Sequence, residues 1–286
     1  MIKNILLFPH SAGQKLLGVR NTPLILKDIM KRERKDYYNF HHVKVNNNRN
    51  NIETLNKNLR NLYEKNEEVK GRRINIGGDH SMAIGSIAYT LNKYPNAKVI
   101  WFDAHGDINS PEKSITKNVH GMPLSFLSGL TESIKKATET EKYNYDFISN
   151  KLDLKNLMYI GIRDLDEYEK KIIKANKINT ISVDHFNYEE IYPTYLRIAN
   201  FIGNKPFHIS FDVDSLDPSI IPSTGTSVKQ GLLKFQTQTI LRQLMRSENL
   251  VNMDITELNI SNDFSDDENK KSLKNVLDIF FDIDIK

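Results

Sequence analysis

The chain has 286 residues, 39% hydrophobic and 27% charged, the balance of a soluble globular fold and a length that one large α/β domain can absorb. It contains no cysteine, which excludes disulfides, thiolate zinc sites, iron–sulfur clusters and a cysteine nucleophile. The net charge of +4, from 40 Lys and Arg against 36 Asp and Glu, is too mild and too mixed for a nucleic-acid surface, and the densest basic run, Lys31 to Lys35, is split by Glu33.

The N-terminal run is apolar but short, lacks a small-residue cleavage site and passes directly into Pro9-His10. It reads as a buried strand over Asn4–Phe8 and not as an export signal. Thr22-Pro23 opens a helix, with Thr22 as the expected N-cap and Pro23 at the first helical position. A strand at His42–Val45 precedes an Asn-rich stretch, residues 46–51, that reads as an exposed loop. Next come a helix at Ile52–Asn66, a strand at Arg73–Ile76, a helix at Met82–Lys93 and a strand at Lys98–Phe102. Residues 130–154 are polar and weakly periodic, a surface excursion. The second half continues with strands at Leu157–Ile162, Ile178–Val183, Phe207–Asp212 and Val251–Thr256. Helical patterns lie at Asp166–Ala175, Tyr188–Ile202, Lys234–Met245 and Asn269–Phe281.

Most of the strands lack polar alternation, which is how strands buried on both faces read. Strand alternating with helix predicts a single three-layer α/β/α domain over residues 1–286, with a mostly parallel sheet of roughly eight strands. No apolar run approaches the ~18 residues that a membrane span needs. Without cysteines or an export signal, a cytoplasmic location is expected.

Ligands of a parallel sheet bind outside the carboxyl ends of its strands, and three ends are unusual. Gly77-Gly78-Asp79-His80-Ser81 follows the third strand, Asp103-Ala104-His105-Gly106-Asp107 follows the fourth, and Asp212-Val213-Asp214 ends the seventh. On extended backbone, residues spaced by two share a face. Asp103, His105 and Asp107 can therefore converge on one point, as can Asp212 and Asp214, with His80 adding a nitrogen. A single Asp in a loop is usually a turn residue, but this many acids at matched phase repel one another unless cations neutralise them. Six ligands without sulfur are too many for one ion and suit two that share carboxylates. The hard nitrogen–oxygen set favours Mn²⁺, with Fe²⁺, Co²⁺ or Zn²⁺ less specific alternatives.

These blocks, GGDHS, DAHGD and SFDVDSLDPS, resemble the ureohydrolase family, the binuclear manganese enzymes that include arginase and agmatinase. Val119-His120-Gly121-Met122-Pro123, Thr256-Glu257-Leu258-Asn259, the stretch from Pro218 to Thr226, and Gly13 and Gly18 near the start extend the likeness over nearly the whole chain. The resemblance implies two Mn²⁺ held by His80, Asp103, His105, Asp107, Asp212 and Asp214, with Asp103 and Asp212 as bridges. It implies attack of a metal-bridging hydroxide on a guanidino carbon, with Asp107 passing a proton to the leaving amine. His120 would shuttle protons, Glu257 would pair with the guanidinium, and Thr226 would hydrogen-bond near Glu257.

Within the family the likeness is greatest to arginase, so L-arginine is the expected substrate, with ornithine and urea as products. Asn109, Thr116 and Asn118 would contact its carboxylate, and Asp166 its α-amino group. Agmatine or another guanidino compound is the alternative substrate, and a catalytically silent binding protein is the alternative class. The complete ligand set argues against silence. The resemblance also implies a homo-oligomer, a trimer or hexamer. Thr116 stands where arginases usually have Ser, Thr226-Ser227 replaces a usual Thr-Pro, and residues 130–154 follow the family poorly. His10 lies just after the first strand, near the expected site.

Overall fold

The computed structural model describes residues 2–46, 51–131, 143–188 and 190–285. Among the described residues eight strands join one sheet: β1 (Asn4–Phe8), β2 (Asn39–His42), β3 (Arg73–Gly77), β4 (Lys98–Phe102), β5 (Leu157–Ile160), β6 (Asn179–Ile181), β7 (Phe207–Asp212) and β8 (Leu250–Thr256). Their order is β2-β1-β3-β8-β7-β4-β5-β6, and every pairing is parallel. Parallel neighbours need crossover connections. These are supplied by α1 (Thr22–Glu33), α2 (Ile52–Glu68), α3 (Ala83–Lys93), α4 (Pro123–Ser128), α5 (Glu167–Ala175), α6 (Val183–Tyr188), α7 (Ile191–Ile202) and α8 (Lys234–Arg246), while α9 (Asp266–Phe281) follows the last strand and packs into the core. The expected three-layer architecture is present. Among the described residues no helix is long and apolar enough to cross a membrane.

Alternation along the strands divides the interior in two. Ile5, Leu7, Ile74, Ile76, Ile100, Phe102, Ile209, Phe211, Met253 and Ile255 join a cluster with residues of α1, α7, α8 and α9. Leu6, Phe8, Val99, Trp101, Leu157 and Tyr159 join a second cluster with α2, α3 and α4. On that second side the central strands carry buried polar residues in place of an apolar run. Asp254 accepts hydrogen bonds from Asn75 Nδ2 at 2.7 Å and Ser86 Oγ at 2.5 Å, and pairs with His208 Nε2 at 2.9 Å. Thr90 lies 2.9 Å from His208 Nδ1. Burial alone would raise the Asp254 carboxyl, but these partners hold it below its ordinary value. Inside a protein such a group is tolerated only when satisfied. The same phase of β7, two residues on from His208, brings Ser210 to the site described below.

Local differences from the sequence reading have physical reasons. The second strand lies at Asn39–His42, not His42–Val45, because it is an edge strand registered on β1 from Asn4↔Asn39 onward and needs only one covered side. Thr22 does not cap α1. Asn21 precedes that helix in helical conformation with no side-chain cap, and Thr22 Oγ1 instead donates to Leu258 O at 2.5 Å, tying the helix to the loop after β8. β5 stops at Ile160, where Gly161 takes φ +93°. α9 begins three residues early because Ser265 and Glu268 form a capping box. The short helices α4 and α6 were not apparent in the sequence. Of the Asn-rich loop and the excursion at 130–154, residues 47–50 and 132–142 lie outside the described residues.

Phe211 is fully buried immediately before Asp212, with its ring 5.0 Å from Phe102 and 4.9 Å from Phe280. Phe211→Ala is expected to lower the unfolding free energy by about 3–5 kcal/mol in denaturant titration.

Candidate metal centre and its pocket

The strand order places the carboxyl ends of β3, β8, β7 and β4 side by side, and the acids and histidines meet there. Asp79 caps the short turn after β3, accepting the Ser81 amide, and so presents His80. His80 Nδ1 lies 3.1 Å from Asp103 Oδ2, 3.1 Å from Asp107 Oδ2 and 3.2 Å from Asp212 Oδ2. Its Nε2 is 2.8 Å from Ser210 Oγ, and its ring stacks on Trp101 with centroids 4.1 Å apart. The Trp101 indole in turn donates to Asp103 Oδ2 at 2.9 Å. A second group lies alongside: His105 Nδ1 is 3.1 Å from Asp214 Oδ2 and 3.4 Å from Asp103 Oδ1.

His80, Asp103 and Asp107 form one set of donors that could hold an ion, and Asp103, His105 and Asp214 form another. Asp103 belongs to both, one oxygen toward each. Asp212 reaches the first set, and its Oδ1 accepts the Asp214 amide at 2.9 Å. All six residues predicted as ligands are thus brought together.

A divalent cation fits this arrangement on a specific observation. His80 Nδ1 is buried and makes no hydrogen bond, although three carboxylate oxygens surround it. Burial would lower this ring, but Asp103, Asp107 and Asp212 push it well above its ordinary value; a cation in the oxygen cage would take the place of that proton, with Nε2 on Ser210 and the Nδ1 lone pair directed at the ion. Burial raises Asp107 to about 6, with Asp103 adding to it, and burial with Asp214 and Asp103 raises Asp212 well above the ordinary carboxylate value. Burial would lower His105, yet Asp214 and Asp103 push it up to about 12.

A cleft of about 160 Å³ opens over the cluster. Asp107, His105 and Asp212 line its floor, and Asn109, Thr116, Asn118, His120 and Thr226 its walls. Larger cavities of about 400 Å³ and 1010 Å³ lie elsewhere, away from the clustered ligands. Thr226 Oγ1 donates to Asp214 Oδ2 at 3.0 Å; its partner is a carboxylate of the cluster and not Glu257. Asp166 lies outside the lining. Its Oδ1 caps α5, accepting Tyr168 and Glu169 amides at 3.0 and 2.9 Å, while Oδ2 accepts from Asn109 Nδ2. Glu257 is also outside the lining and only 2% exposed. Its Oε1 lies 3.1 Å from His120 Nδ1 and accepts the His80 amide at 2.8 Å. Burial would lower the His120 ring, but Glu257 holds it up at about 9.

Two residues absent from the sequence reading also line the cleft, Ser114 and Glu169. Ser114 sits two positions before Thr116 on the same loop. Glu169 closes the capping box that Asp166 opens, a D-x-x-E pattern visible in the sequence. Burial and Asp107 push the Glu169 carboxyl up to about 8. His10 is buried behind the site, 3.9 Å from Asp79 and stacked on Phe8.

A model of the Arginase family matches residues 10–280. The arginase of Glaciozyma antarctica is 40% identical over 192 residues, 66% of this chain and 54% of that protein. The arginase of Saccharomyces cerevisiae is 38% identical over 191 residues, 65% of this chain and 56% of that protein. The chain thus spans little more than half the length of these curated relatives. Among solved structures, Entamoeba histolytica arginase in complex with L-ornithine superposes with a TM-score of 0.84 at 26% identity, covering 99% of this chain and 100% of that one.

Two outcomes follow from this geometry. Mn²⁺ should raise the melting temperature by binding the native state. Asp103→Asn should abolish that rise, because both donor sets lose a member, whereas Asp214→Asn should keep part of it; a full rise in Asp103→Asn would contradict the shared-ligand geometry. The second concerns pH. His120 is raised in the folded chain from its ordinary 6.5 to about 9, so the stabilisation from its contact with Glu257 is complete below pH 6.5 and gone above about 9. In metal-free protein, the stability lost in His120→Asn should be larger at pH 6 than at pH 10.

Proposed function

The chain belongs to the arginase family, and on that premise we propose that it hydrolyses L-arginine to L-ornithine and urea, using two Mn²⁺ held by His80, Asp103, Asp107, Asp212, His105 and Asp214. The observation that carries this reading is Asp103, one buried carboxylate shared by two adjoining donor sets, of which Asp107 and His105 reach the cleft. The L-ornithine bound by the Entamoeba histolytica arginase supports the choice of amino acid. When bound, the ions supply the positive charge that converts water into a nucleophile at neutral pH.

The reaction adds water across the bond between the guanidino carbon and the nitrogen retained by ornithine: oxygen to carbon, hydrogen to nitrogen. Asp107 borders both the donor set and the cleft, so its carboxylate is placed to accept the proton from water and deliver it to the departing nitrogen. Its left-handed backbone, φ +47°, costs on the order of 1–3 kcal/mol and keeps the carboxylate turned inward. His120 Nδ1 is fixed by Glu257, which leaves Nε2 to exchange protons at the cleft mouth. Glu257, buried beside His120, would pair with the guanidinium. The side chains of Asn109, Thr116 and Asn118 offer neutral donors to a substrate carboxylate without adding charge beside the ions. Thr226, bonded to Asp214, braces the floor. Asp166, already bonded to Asn109 and backed by the neighbouring Glu169, supplies acidity on the side where an α-ammonium would lie. A homo-oligomer, trimer or hexamer, and a cytoplasmic location belong to the same reading.

Mn²⁺-loaded protein incubated separately with L-arginine and with agmatine tests it. Urea is expected from L-arginine. Urea from agmatine alone would overturn the choice of substrate, since agmatine lacks the carboxylate that the loop is read to bind.

A further inference from the structure

Glu257 stands beside the first donor set, accepting the His80 amide, and belongs to neither set. Its backbone is left-handed, at φ +63°, and its carboxylate is held by three protein donors. Oε1 takes two of them, the His80 amide at 2.8 Å and His120 Nδ1 at 3.1 Å. Oε2 takes one, Gln14 Nε2 at 2.5 Å. A carboxylate has about four acceptor positions, so the open one lies on Oε2, and Gln14 sets where it points.

We propose that Gln14 is a positioning residue for the guanidino end of the substrate, acting through Glu257; this rests on the reading of Glu257 as the guanidinium acceptor. Gln14 belongs to the loop between β1 and α1, which is itself pinned to the site. Gly13 N donates to Asp79 Oδ2 at 2.8 Å, and Gly13 O accepts the His120 amide at 3.2 Å. A Cβ on Gly13 would lie 2.5 Å from Asp79 Oδ1, so the loop approaches this closely only with glycine there. One short segment therefore braces the residue that presents His80, the backbone of His120 and the carboxylate of Glu257.

The chemistry of the donor is specific. An amide fixes an oxygen and leaves the carboxylate its full negative charge. A lysine or arginine in its place would neutralise that charge and compete with a cationic substrate.

The test uses Gln14→Met, which keeps length and removes the donor, with Gln14→Lys as second variant. Gln14 is only half-buried, so both are expected to fold and to bind the parent's amount of Mn²⁺. In Gln14→Met, KM for L-arginine should rise about tenfold or more while kcat stays within about threefold, the pattern of an interaction made in ground and transition states alike. Gln14→Lys should raise KM as well. Calorimetric titration with methylguanidinium provides a reading independent of turnover, and binding to Gln14→Met should weaken by about tenfold. Parent-like KM and methylguanidinium affinity in Gln14→Met would show the amide to be only a stitch in the loop and overturn the proposal, as would a loss of kcat at unchanged KM. A parent that binds methylguanidinium but releases no urea from L-arginine defeats the choice of substrate instead, and the titration still decides the role of Gln14.

Discussion

Four carboxylates within reach of two histidines, almost wholly out of water, is the constraint around which the molecule is built. Negative charges this close and this dry repel strongly. Burial and the neighbouring carboxylates push Asp107 and Asp212 upward, and Asp214 and Asp103 push His105 up with them. Two divalent ions would relieve that repulsion without protons and would leave the aspartates ionised as ligands. The architecture is arranged to hold the acids in this unfavourable state.

How it holds them depends on topology. His80, the aspartates after β4 and the pair at the end of β7 are far apart in sequence, and the order β3-β8-β7-β4 makes their strands close neighbours. Behind them runs a second polar layer. Ser210 fixes His80, Trp101 bonds Asp103, and Asp254 anchors His208 and Asn75 beneath α3. Each supports a ligand or the strand that carries one. Satisfied buried networks of this kind limit the rotamers available to their members, which is how a carboxylate can be kept near its rivals.

Much of this was legible in the chain. Apolar runs at Asn4–Phe8 and Lys98–Phe102 announced strands covered on both faces, and D-x-H-x-D with D-x-D named the acids and histidine that meet, although not on extended backbone as the spacing suggests: Asp107 is left-handed and Asp214 lies in a 3₁₀ turn that Asp212 caps. What was hidden had no local signature. The register of β2 follows from β1 and not from its own residues. Thr22 beside Pro23 has the form of a cap, yet its hydroxyl is taken by Leu258, 236 positions away. His208 and Asp254 look like isolated polar residues in strands until the fold pairs them. Thr226 was read against Glu257 because both belong to late motifs, but the loop after β7 folds back on Asp214. A lone glutamine in an opening loop, as Gln14 is, carries no pattern until its partner Glu257 is known.

Two ions held by the two donor sets would have Asp103 between them. Anomalous diffraction from crystals loaded with Mn²⁺ tests this directly. Two peaks per chain are expected, one beside His80 and one beside His105, with the Asp103 carboxylate between them and one oxygen toward each. A single peak, or two that leave Asp103 bound to only one ion, would contradict this arrangement.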